Sequence, residues 1–515
     1  MRHSPGLTDA DAVTRDHRAA QARMSRVALG LTLLLCATLA AAQERLRIGS
    51  KRFTESYILA QVLAQTAQAH AQVQVQQGLG NTAIVYEALR SGSIDLYPEY
   101  TGTIALEILK GSGTTTLEAM RAQLTPLGLG VDIALGFNDG YALAMRADTA
   151  AKLGITRLSD LARHPALRMG LSNEFIGRAD GWKGLAQRYA LPQQPTGLDH
   201  GLAYDAIGAA QVDVIDIYTT DAKIDHLGLR VLADDAGYFP RYDAVILYRL
   251  DVPRRFPKAW AALQGLSGSV NEKTMIAMNA RAELDSVAFD LIARDHLAGR
   301  AGSAQAGGDF WSKLFGADFW RLTWQHLGLV LAAVALAVVI GVPLAIAVTP
   351  HARWRATVLG ATGLLQTVPS LAMLAVLISW VGRIGTVPAL MALTLYALLP
   401  IMRNTCTGLA EVPAGLKDAG TALALSPLQR LWLIELPLAM PTLVAGVRTA
   451  TTIAVGTATI AAFIGAGGYG ERIVTGLALN DKQLLLAGAL PAAALALLFE
   501  GAFELIALRM RRGAR

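Results

Sequence analysis

Five long apolar segments in the second half of the chain constrain its fold more than any other feature. They cover, in order, Leu327–Thr349, Ala356–Trp380, Ile384–Met402, Thr449–Gly470 and Gln483–Leu508. Each is long enough to cross a bilayer core of roughly 30 Å, whereas buried helices of a soluble protein are shorter and amphipathic. The segments therefore predict an all-α membrane domain over residues 324–515 with five spans.

Basic residues lie at alternate ends of these spans and predict their orientation. The first span is followed by the basic stretch 351–355, the third by Arg403, and the fifth ends in the basic stretch 509–515. Because basic residues concentrate on the cytoplasmic side, the part before the first span is predicted to lie outside and the segment between spans three and four inside. Glu500 and Glu504, one helical turn apart, are expected near the cytoplasmic end of the last span or in a subunit interface rather than in an ion relay.

Residues 1–42 have the pattern of a secretory signal peptide. Arg23 and Arg26 precede an apolar run over Val27–Leu39, and the small residues that follow end at Ala42. A basic flank, a short apolar core and a small-residue site are the three parts of such a signal. We expect cleavage after Ala42, with an uncleaved anchor as the alternative, and export of the following residues in either case.

Residues 43–300 are predicted to form a substrate-binding domain of two α/β lobes, because short strand-like and helix-like segments alternate along them. The predicted strands are Arg45–Ser50, Gln72–Gln77, Ile94–Leu96, Tyr141–Met145, Arg168–Leu171, Val212–Tyr218 and Ala244–Tyr248, with helices at Ser56–Ala69 and Ala83–Arg90. Ligands of such folds bind beyond the carboxyl ends of the strands, so we expect a cleft between the lobes. Residues 301–323 are predicted to be a linker whose aromatic part suits a membrane–water interface or, alternatively, packing on the soluble domain.

The composition argues against several other classes of function. The net charge of +6 is spread along the chain without a Lys/Arg block, so nucleic-acid binding is not expected. The two cysteines and nine scattered histidines provide neither a disulfide framework nor metal-ligand spacing. No nucleophile–base pair stands out, so we predict no enzyme activity, no catalytic residue, no metal and no cofactor.

The polar segment Glu411–Pro437 interrupts the apolar pattern between the third and fourth spans. It contains Asp418-Ala419-Gly420, three residues, Ala424, nine residues, and then Ile434-Glu435-Leu436-Pro437. It resembles the signature of bacterial ABC importer permeases, which is Glu-Ala-Ala, three residues, Gly, nine residues, and Ile-x-Leu-Pro. Asp418, Gly420 and Ala424 depart from that signature.

The resemblance implies that this segment forms two short helices that dock onto a separate ATPase subunit and transmit its movement to the spans. The residues that would carry this coupling are Asp418, Ala419, Gly420, Ala424, Ile434, Leu436 and Pro437. A plain amphipathic surface helix is the alternative. The sequence contains no GxxxxGKS/T phosphate loop, so ATP hydrolysis is expected from the partner subunit. Two permease copies, as a homodimer or with a second permease, are expected to form one pathway.

Six segments of the first domain resemble glycine betaine/choline-binding proteins of osmoprotectant importers. In order, they are IGSKRFTES (48–56), GLGNTAIVYEALRSGSIDLYPEYTGT (78–103), NDGYALAM (138–145), EFIGRADGW (174–182), DVIDIYTTDAKI (213–224) and FPRYDAVIL (239–247). The resemblance implies that the ligand is bound by Lys51, Tyr100, Thr103, Tyr141, Arg178, Tyr218 and Tyr242.

The residue types in this set suit a quaternary ammonium ligand. Such a group cannot donate a normal hydrogen bond, and aromatic faces hold it by cation–π attraction worth about 0.5–2 kcal/mol per ring. Arg178, Lys51 and Thr103 are candidate donors to the carboxylate of a betaine. Alternatively, Lys51 stays solvated at the rim of the cleft. Asp221 and Glu174 are expected either to orient these residues or to cap loops.

Together these patterns predict an importer subunit of the inner membrane in which a periplasmic solute receptor and a permease share one chain. The expected ligand is glycine betaine, choline, carnitine or a similar quaternary amine, including ergothioneine-like betaines. A membrane-anchored solute sensor without transport is the alternative, although the short inner loops offer no signalling domain.

Overall fold

The computed structural model describes residues 44–111, 116–300, 309–479 and 481–513. The predicted signal peptide over residues 1–42 lies outside the described residues. The strands are β1 Arg45–Gly49, β2 Gln72–Gln76, β3 Leu96–Tyr100, β4 Leu129–Asp132, β5 Tyr141–Arg146, β6 Met169–Ser172, β7 Thr196–Leu198, β8 Val214–Tyr218, β9 Leu229–Val231 and β10 Ala244–Arg249.

The α-helices before the membrane domain are α1 Thr54–Gln68, α2 Thr82–Arg90, α3 Thr101–Thr103, α4 Leu117–Leu124, α5 Ala147–Leu153, α6 Asn173–Gly177, α7 Trp182–Tyr189, α8 His200–Gly208, α9 Lys223–His226, α10 Val252–Arg255, α11 Pro257–Gln264, α12 Glu272–Glu283 and α13 Phe289–Leu297. They are followed by α14 Phe310–Leu314, α15 Phe319–Val348, α16 Ala352–Thr367, α17 Ser370–Val381, α18 Thr386–Glu411, α19 Ala414–Ala422, α20 Pro427–Arg430, α21 Leu436–Ala458, α22 Gly470–Leu479 and α23 Lys482–Gly513.

Two five-stranded sheets form the two lobes, which confirms the predicted α/β architecture. Their strand orders are β2-β1-β3-β10-β4 in lobe 1 and β7-β6-β8-β5-β9 in lobe 2. Each sheet is mixed, because β10 runs antiparallel to β3 and β4, and β5 runs antiparallel to β8 and β9. The chain passes between the sheets twice, through residues 133–140 and 232–243, so lobe 1 is completed by a strand that follows lobe 2.

One predicted strand was misplaced. The expected strand at Ile94–Leu96 lies instead at Leu96–Tyr100, and all five of its residues are buried. Pro98 and Glu99 argued against a strand there, since proline and acidic residues are depleted in sheets. Buried partners compensate for that preference, because the Glu99 carboxylate is paired with the ammonium group of Lys51. The short strands β4, β7 and β9 were not predicted.

Among the described residues, four helices are long and apolar enough to cross a membrane, or five if one bent helix pair counts as a span. The bent pair is α16 and α17, whose axes differ by 104°. The predicted span Ala356–Trp380 therefore corresponds to two helices with a sharp bend between them. Pro369 lacks an amide proton and disfavours helical geometry at Val368, whose ψ is 126°.

The fourth predicted span, Thr449–Gly470, also begins in the wrong place. The helical stretch runs from Pro427 to Ile464, so it contains the end of the polar segment. Arg448 lies within this stretch, one residue before the predicted start. In the structure Arg448 donates to Glu500 at 2.8 Å and to Glu504 at 2.8 Å, and pairing across helices allows the charge to lie within an apolar span.

Both lobes contact the end of the membrane domain that carries α22. One hydrophobic cluster includes Leu79 and Ile94 of lobe 1 together with Ile384 and Ile464 of the membrane domain. In lobe 2, a Cβ atom on Gly201 would lie only 2.8 Å from the backbone oxygen of Ala478, which shows how closely α8 approaches α22. The membrane domain therefore lies directly beside the region between the two lobes.

Candidate ligand-binding site

Strand pairing brings the four predicted tyrosines to the region between the lobes. Tyr141 begins β5 and Tyr218 ends β8, and these two residues are paired directly in the sheet register. Tyr100 ends β3 opposite Ala244 of β10, and Tyr242 lies just before β10. Because these strand ends lie where the chain passes from one sheet to the other, residues distant in sequence meet there.

The tyrosine rings and one phenylalanine form a connected group, which we call the aromatic cluster: Phe53, Tyr100, Tyr141, Tyr218 and Tyr242. The Tyr141 ring centroid lies 5.1 Å from that of Tyr218 and 5.8 Å from that of Tyr242. Phe53 lies 5.2 Å from Tyr218 and 6.2 Å from Tyr100, and so connects Tyr100 to the other rings. Phe53 was missed as a site residue, although it stands in the quoted segment 48–56.

Arg178 joins the predicted Thr103 to the aromatic cluster. Its guanidinium carbon lies 5.0 Å from the Tyr141 ring centroid, and its Nη2 atom lies 3.3 Å from the Thr103 hydroxyl. Asp180 accepts hydrogen bonds from Arg178 at 2.6 and 2.7 Å and from the Tyr242 phenol at 2.7 Å. Burial, reinforced by the Asp180 charge, raises the pKa of Tyr242, so its phenol stays protonated and acts as a donor.

Lys51 is also part of this site, but it is not at the rim. Its exposed fraction is 5%, which contradicts the alternative of a solvated side chain. Its ammonium nitrogen lies 5.1 Å from the Tyr100 ring centroid and is paired with the Glu99 carboxylate. The structure thus brings all seven predicted ligand residues into one connected set, and both of its cations have carboxylate partners within the chain.

Glu55 is a buried carboxyl group that the sequence analysis did not single out. It lies at the start of α1 in lobe 1 and accepts a 2.5 Å hydrogen bond from the Tyr100 phenol. The hydroxyl of Thr220, which follows β8 in lobe 2, lies 2.6 Å from Glu55 and 2.9 Å from Asp139. An acidic residue in the first turn of a helix is common for electrostatic reasons alone, so no distinct signal in the sequence marks Glu55.

These contacts link the protonation of Glu55 to the contact between lobes. Burial raises the pKa of Glu55 to about 7, against the opposing effect of the hydrogen bonds from Thr220 and Tyr100. Burial also raises the pKa of Asp139, and the neighbouring Glu55 charge adds to that shift. One hydroxyl carries one proton, so Thr220 can donate to only one of the two carboxyl groups at a time, and a protonated carboxyl can supply the other hydrogen bond.

A cavity of about 240 Å³ lies beside the aromatic cluster and is lined by Phe53 and Tyr218 from the cluster. Of the seven predicted ligand residues, only Tyr218 lines it. His200 in its wall lies 3.1 Å from Asp221. Burial alone would lower the pKa of His200, but the charges of Asp221 and Asp216 outweigh it and raise the pKa to about 9. Within the described residues, no group of three or more His, Cys, Asp or Glu side chains could hold a metal ion.

The polar segment of the membrane domain forms a second candidate site. Gly420 on α19 packs against the end of the segment, since a Cβ atom there would lie 2.8 Å from Ile434 Cδ1. Ala424 has a left-handed φ of 55°, at the position where the permease signature has glycine. Ser426 and Gln429 form a capping box that begins α20.

Five apolar side chains of this segment are exposed, and we call them the coupling face: Leu416, Leu423, Leu428, Trp432 and Leu433. Leu423 is 75% exposed and Trp432 is 63% exposed. Of the predicted coupling residues, Asp418, Ala419, Ala424 and Pro437 are exposed, whereas Gly420, Ile434 and Leu436 are buried or half-buried. The first group is therefore available to a partner, and the second group packs within the segment.

Two lobes around an aromatic cleft, joined to a bundle of apolar helices, define the class of a solute receptor fused to a permease. Comparison with known proteins supports the same class. Residues 44–299 match the substrate binding domain of an ABC-type glycine betaine transport system, and residues 337–512 match the binding-protein-dependent transport system inner membrane component.

Individual relatives cover one or the other part of the chain. The osmoprotectant import permease protein OsmW of Salmonella typhimurium is 46% identical over 184 residues, which is 35% of this chain and 85% of OsmW. A glycine-betaine-binding protein of Pseudomonas aeruginosa is 34% identical over 305 residues, covering 53% of this chain and 96% of that protein. The ergothioneine permease and binding protein EgtU of Helicobacter pylori is 31% identical over 290 residues, covering 53% of this chain and 52% of EgtU.

The chain therefore belongs to the glycine betaine-type family of ABC transporters, with the substrate-binding and permease domains fused. This confirms the family and fold class predicted from the sequence. The family is one of transporters rather than enzymes, and the protein is a multi-pass component of the inner membrane. The match to EgtU spans about half the length of that relative.

Proposed function

We propose that the chain captures a quaternary ammonium solute between its two lobes, on the periplasmic side of the inner membrane, and forms part of the import pathway. The aromatic cluster carries this proposal. Two of its ring faces, those of Tyr100 and Tyr141, already contact the cationic groups of Lys51 and Arg178. Rings that accept an ammonium and a guanidinium group also suit a methylated ammonium, which depends on the same cation–π attraction.

The paired charges around the cluster bear on the class of solute. Arg178 and Lys51 are each bound to a carboxylate of the chain, Asp180 and Glu99 respectively. A choline-like solute has no carboxylate and therefore needs neither of these two cations as a donor. A betaine such as glycine betaine, carnitine or ergothioneine would have to share Arg178 with Asp180. The ligand classes we propose are therefore choline-type and betaine-type solutes, in agreement with the osmoprotectant, glycine betaine and ergothioneine relatives.

Calorimetric titration of the full chain in lipid nanodiscs tests the ligand class, with choline, glycine betaine, carnitine and ergothioneine as probes. At least one probe should bind. Tyr218→Ala and Tyr242→Ala should reduce its affinity at least about tenfold, because each removes a ring worth about 0.5–2 kcal/mol of cation–π attraction together with its packing. Tyr86→Ala, a half-buried tyrosine on α2 outside the cluster, is the matched control. No heat with any probe, or unchanged affinity in both cluster variants, would overturn the proposal.

The coupling face supports the second half of the proposal, in which a separate ATPase subunit drives import. Exposed apolar side chains grouped in one segment are characteristic of protein–protein or membrane contact sites. Here they occupy the segment that the permease signature assigns to ATPase docking. Two permease copies, identical or different, complete one pathway. Solute binding without ATP-dependent uptake by proteoliposomes containing the ATPase would favour a membrane-anchored sensor instead.

A further inference from the structure

A cavity lies between the aromatic cluster and the membrane domain. The cavity of about 240 Å³ shares Phe53 and Tyr218 with the cluster. The Tyr218 ring lies 5.1 Å from Tyr141 within the cluster and 4.4 Å from His200 in the cavity wall. Tyr218 therefore stands between the cluster and the cavity, and a solute in the cavity would neighbour the cluster without lying inside it.

The permease contributes directly to the wall of this cavity. Ala478, near the end of α22, is one of the lining residues, and α8 with Gly201 packs against its backbone. Arg52, another lining residue, lies with its guanidinium carbon 5.1 Å from the ring centroid of Phe463, which precedes α22. The cavity thus has the receptor's aromatic rings on one side and the membrane domain on the other.

The lining is rich in carboxylates and suits a cation. The acidic lining residues are Glu55, Glu174, Asp199, Asp221 and Glu283, and the basic ones are Arg52, Lys223 and His200.

Two of these basic groups are already paired within the wall. Arg52 lies 3.1 Å from Asp199, and His200 lies 3.1 Å from Asp221. Burial raises the pKa of Glu283 to about 7, and the charge of Asp221 adds to that shift. A cation in the cavity would offset both effects, because an opposite charge favours the ionised carboxylate.

We propose that this cavity, which we call the transfer chamber, is a second binding site for the quaternary ammonium solute after it leaves the aromatic cluster and before it enters the permease. The inference rests on the proposed function. Phe53, Tyr204 and Tyr218 are the aromatic residues of the chamber wall, and the carboxylates supply the negative charge. Its volume lies just below the roughly 300–1,000 Å³ of pockets for drug-sized ligands, which suits a small solute.

Equilibrium dialysis of the full chain in nanodiscs with radiolabelled choline and, separately, glycine betaine tests the transfer chamber. With whichever probe binds, the wild-type chain should bind two solutes per chain at saturation. Ala478→Trp fills the chamber from the permease side and should leave one bound solute with the affinity of the cluster. Ala478→Ser keeps the side chain small and should leave two. Tyr242→Ala, which acts in the cluster, should leave the one in the chamber.

The outcomes separate the two proposals. One solute per wild-type chain, or two in Ala478→Trp, would overturn the transfer chamber while leaving the receptor function intact. No binding of either solute to the wild-type chain would contradict both. Uptake by Ala478→Trp in proteoliposomes with the ATPase should fall at least about tenfold below that of Ala478→Ser, as expected if one step of transfer is blocked. Ala478→Leu serves the same purpose should tryptophan prevent folding.

Discussion

The aromatic cluster and the coupling face present apolar surface in opposite ways. In the cluster, Tyr242 is 1% exposed and Tyr100 is 4% exposed, and both phenols donate to carboxylates of the same chain. In the coupling face, Leu423 and Trp432 are mostly exposed. Under the proposed function, the first site is complete within one chain, whereas the second is one half of a contact with the ATPase.

The largest effect should come from breaking the coupling face. Asp418→Lys reverses a charge and Trp432→Glu introduces one, both in the segment where contact with the ATPase is expected. Loss of a central contact residue commonly costs at least about 2 kcal/mol, so solute uptake should fall about 30-fold or more. Uptake of radiolabelled solute by cells that also produce the ATPase measures this, and calorimetry should show unchanged solute affinity.

Leu153→Glu is the matched control for this double variant. Leu153 is 40% exposed at the end of α5 in lobe 2, far along the chain from the coupling face. A charge there should leave uptake unchanged. Full uptake by the Asp418→Lys, Trp432→Glu variant would mean that the exposed face does not dock the ATPase and that the contrast with the aromatic cluster has another cause.

A smaller effect is expected when the pH is changed, because the buried carboxyl group of Glu55 beside the cluster then gains or loses its proton. Burial raises the pKa of Glu55 from 4.5 to about 7 when the lobes are together. Protonation therefore favours the closed lobes, and this contribution is lost as the pH rises from about 4.5 through 7. Solute affinity measured by calorimetry should fall at least about tenfold between about pH 5.5 and about pH 8, since more than one unit of the pKa difference lies above pH 5.5 and each unit corresponds to about a factor of ten.

Substitution isolates the group responsible for this pH dependence. Glu55→Gln keeps the size of the side chain and should flatten the affinity profile between those pH values. Glu118→Gln, at an exposed position on α4, should keep the wild-type profile. A Glu55→Gln profile identical to the wild type would assign the dependence to other groups, of which Asp139 is the nearest candidate because it contacts Thr220 as well.

The smallest effect concerns the backbone of the polar segment. Ala424 has φ of 55°, a left-handed conformation that costs an L-residue roughly 1–2 kcal/mol. Ala424→Gly should therefore raise the Tm of the purified chain by about 2 °C. Gly420→Ala should lower it, because the added Cβ would lie 2.8 Å from Ile434 Cδ1. Thermal unfolding in detergent compares the two, and a Tm unaffected by Ala424→Gly would show that the conformation carries no strain.

Much of the candidate site could be predicted from the sequence because its residues lie in recognisable segments. Tyr100, Tyr141, Tyr218 and Tyr242 lie at or beside strand ends, and the sheet register brings them together. Phe53 stood in one of those segments, but a phenylalanine one residue before a helix suggests packing as readily as binding. Glu55 could not be found, since its role depends on Thr220, a residue of the other lobe.

In the membrane domain, too, the sequence does not show which distant residues come into contact. A single sequence contains the charge of Arg448 but not its distance to Glu500 and Glu504, so it does not show that the fourth span extends past this residue. Pro369 was visible within the second span, yet membrane helices tolerate proline, and its sequence position alone does not distinguish a tolerated residue from a bend of 104°.

The sequence by itself determined the classes of structure and the kinds of chemistry. Long apolar runs require a membrane, alternating segments require packed sheets and helices, and the tyrosines suit a methylated cation because these properties depend on local composition. Only the tertiary structure decided that Lys51 and Arg178 have carboxylate partners, that Glu55 connects the lobes, and that Ala478 of the permease lines a cavity beside Tyr218. Those facts depend on distances between residues far apart in the chain, which packing sets and local sequence does not.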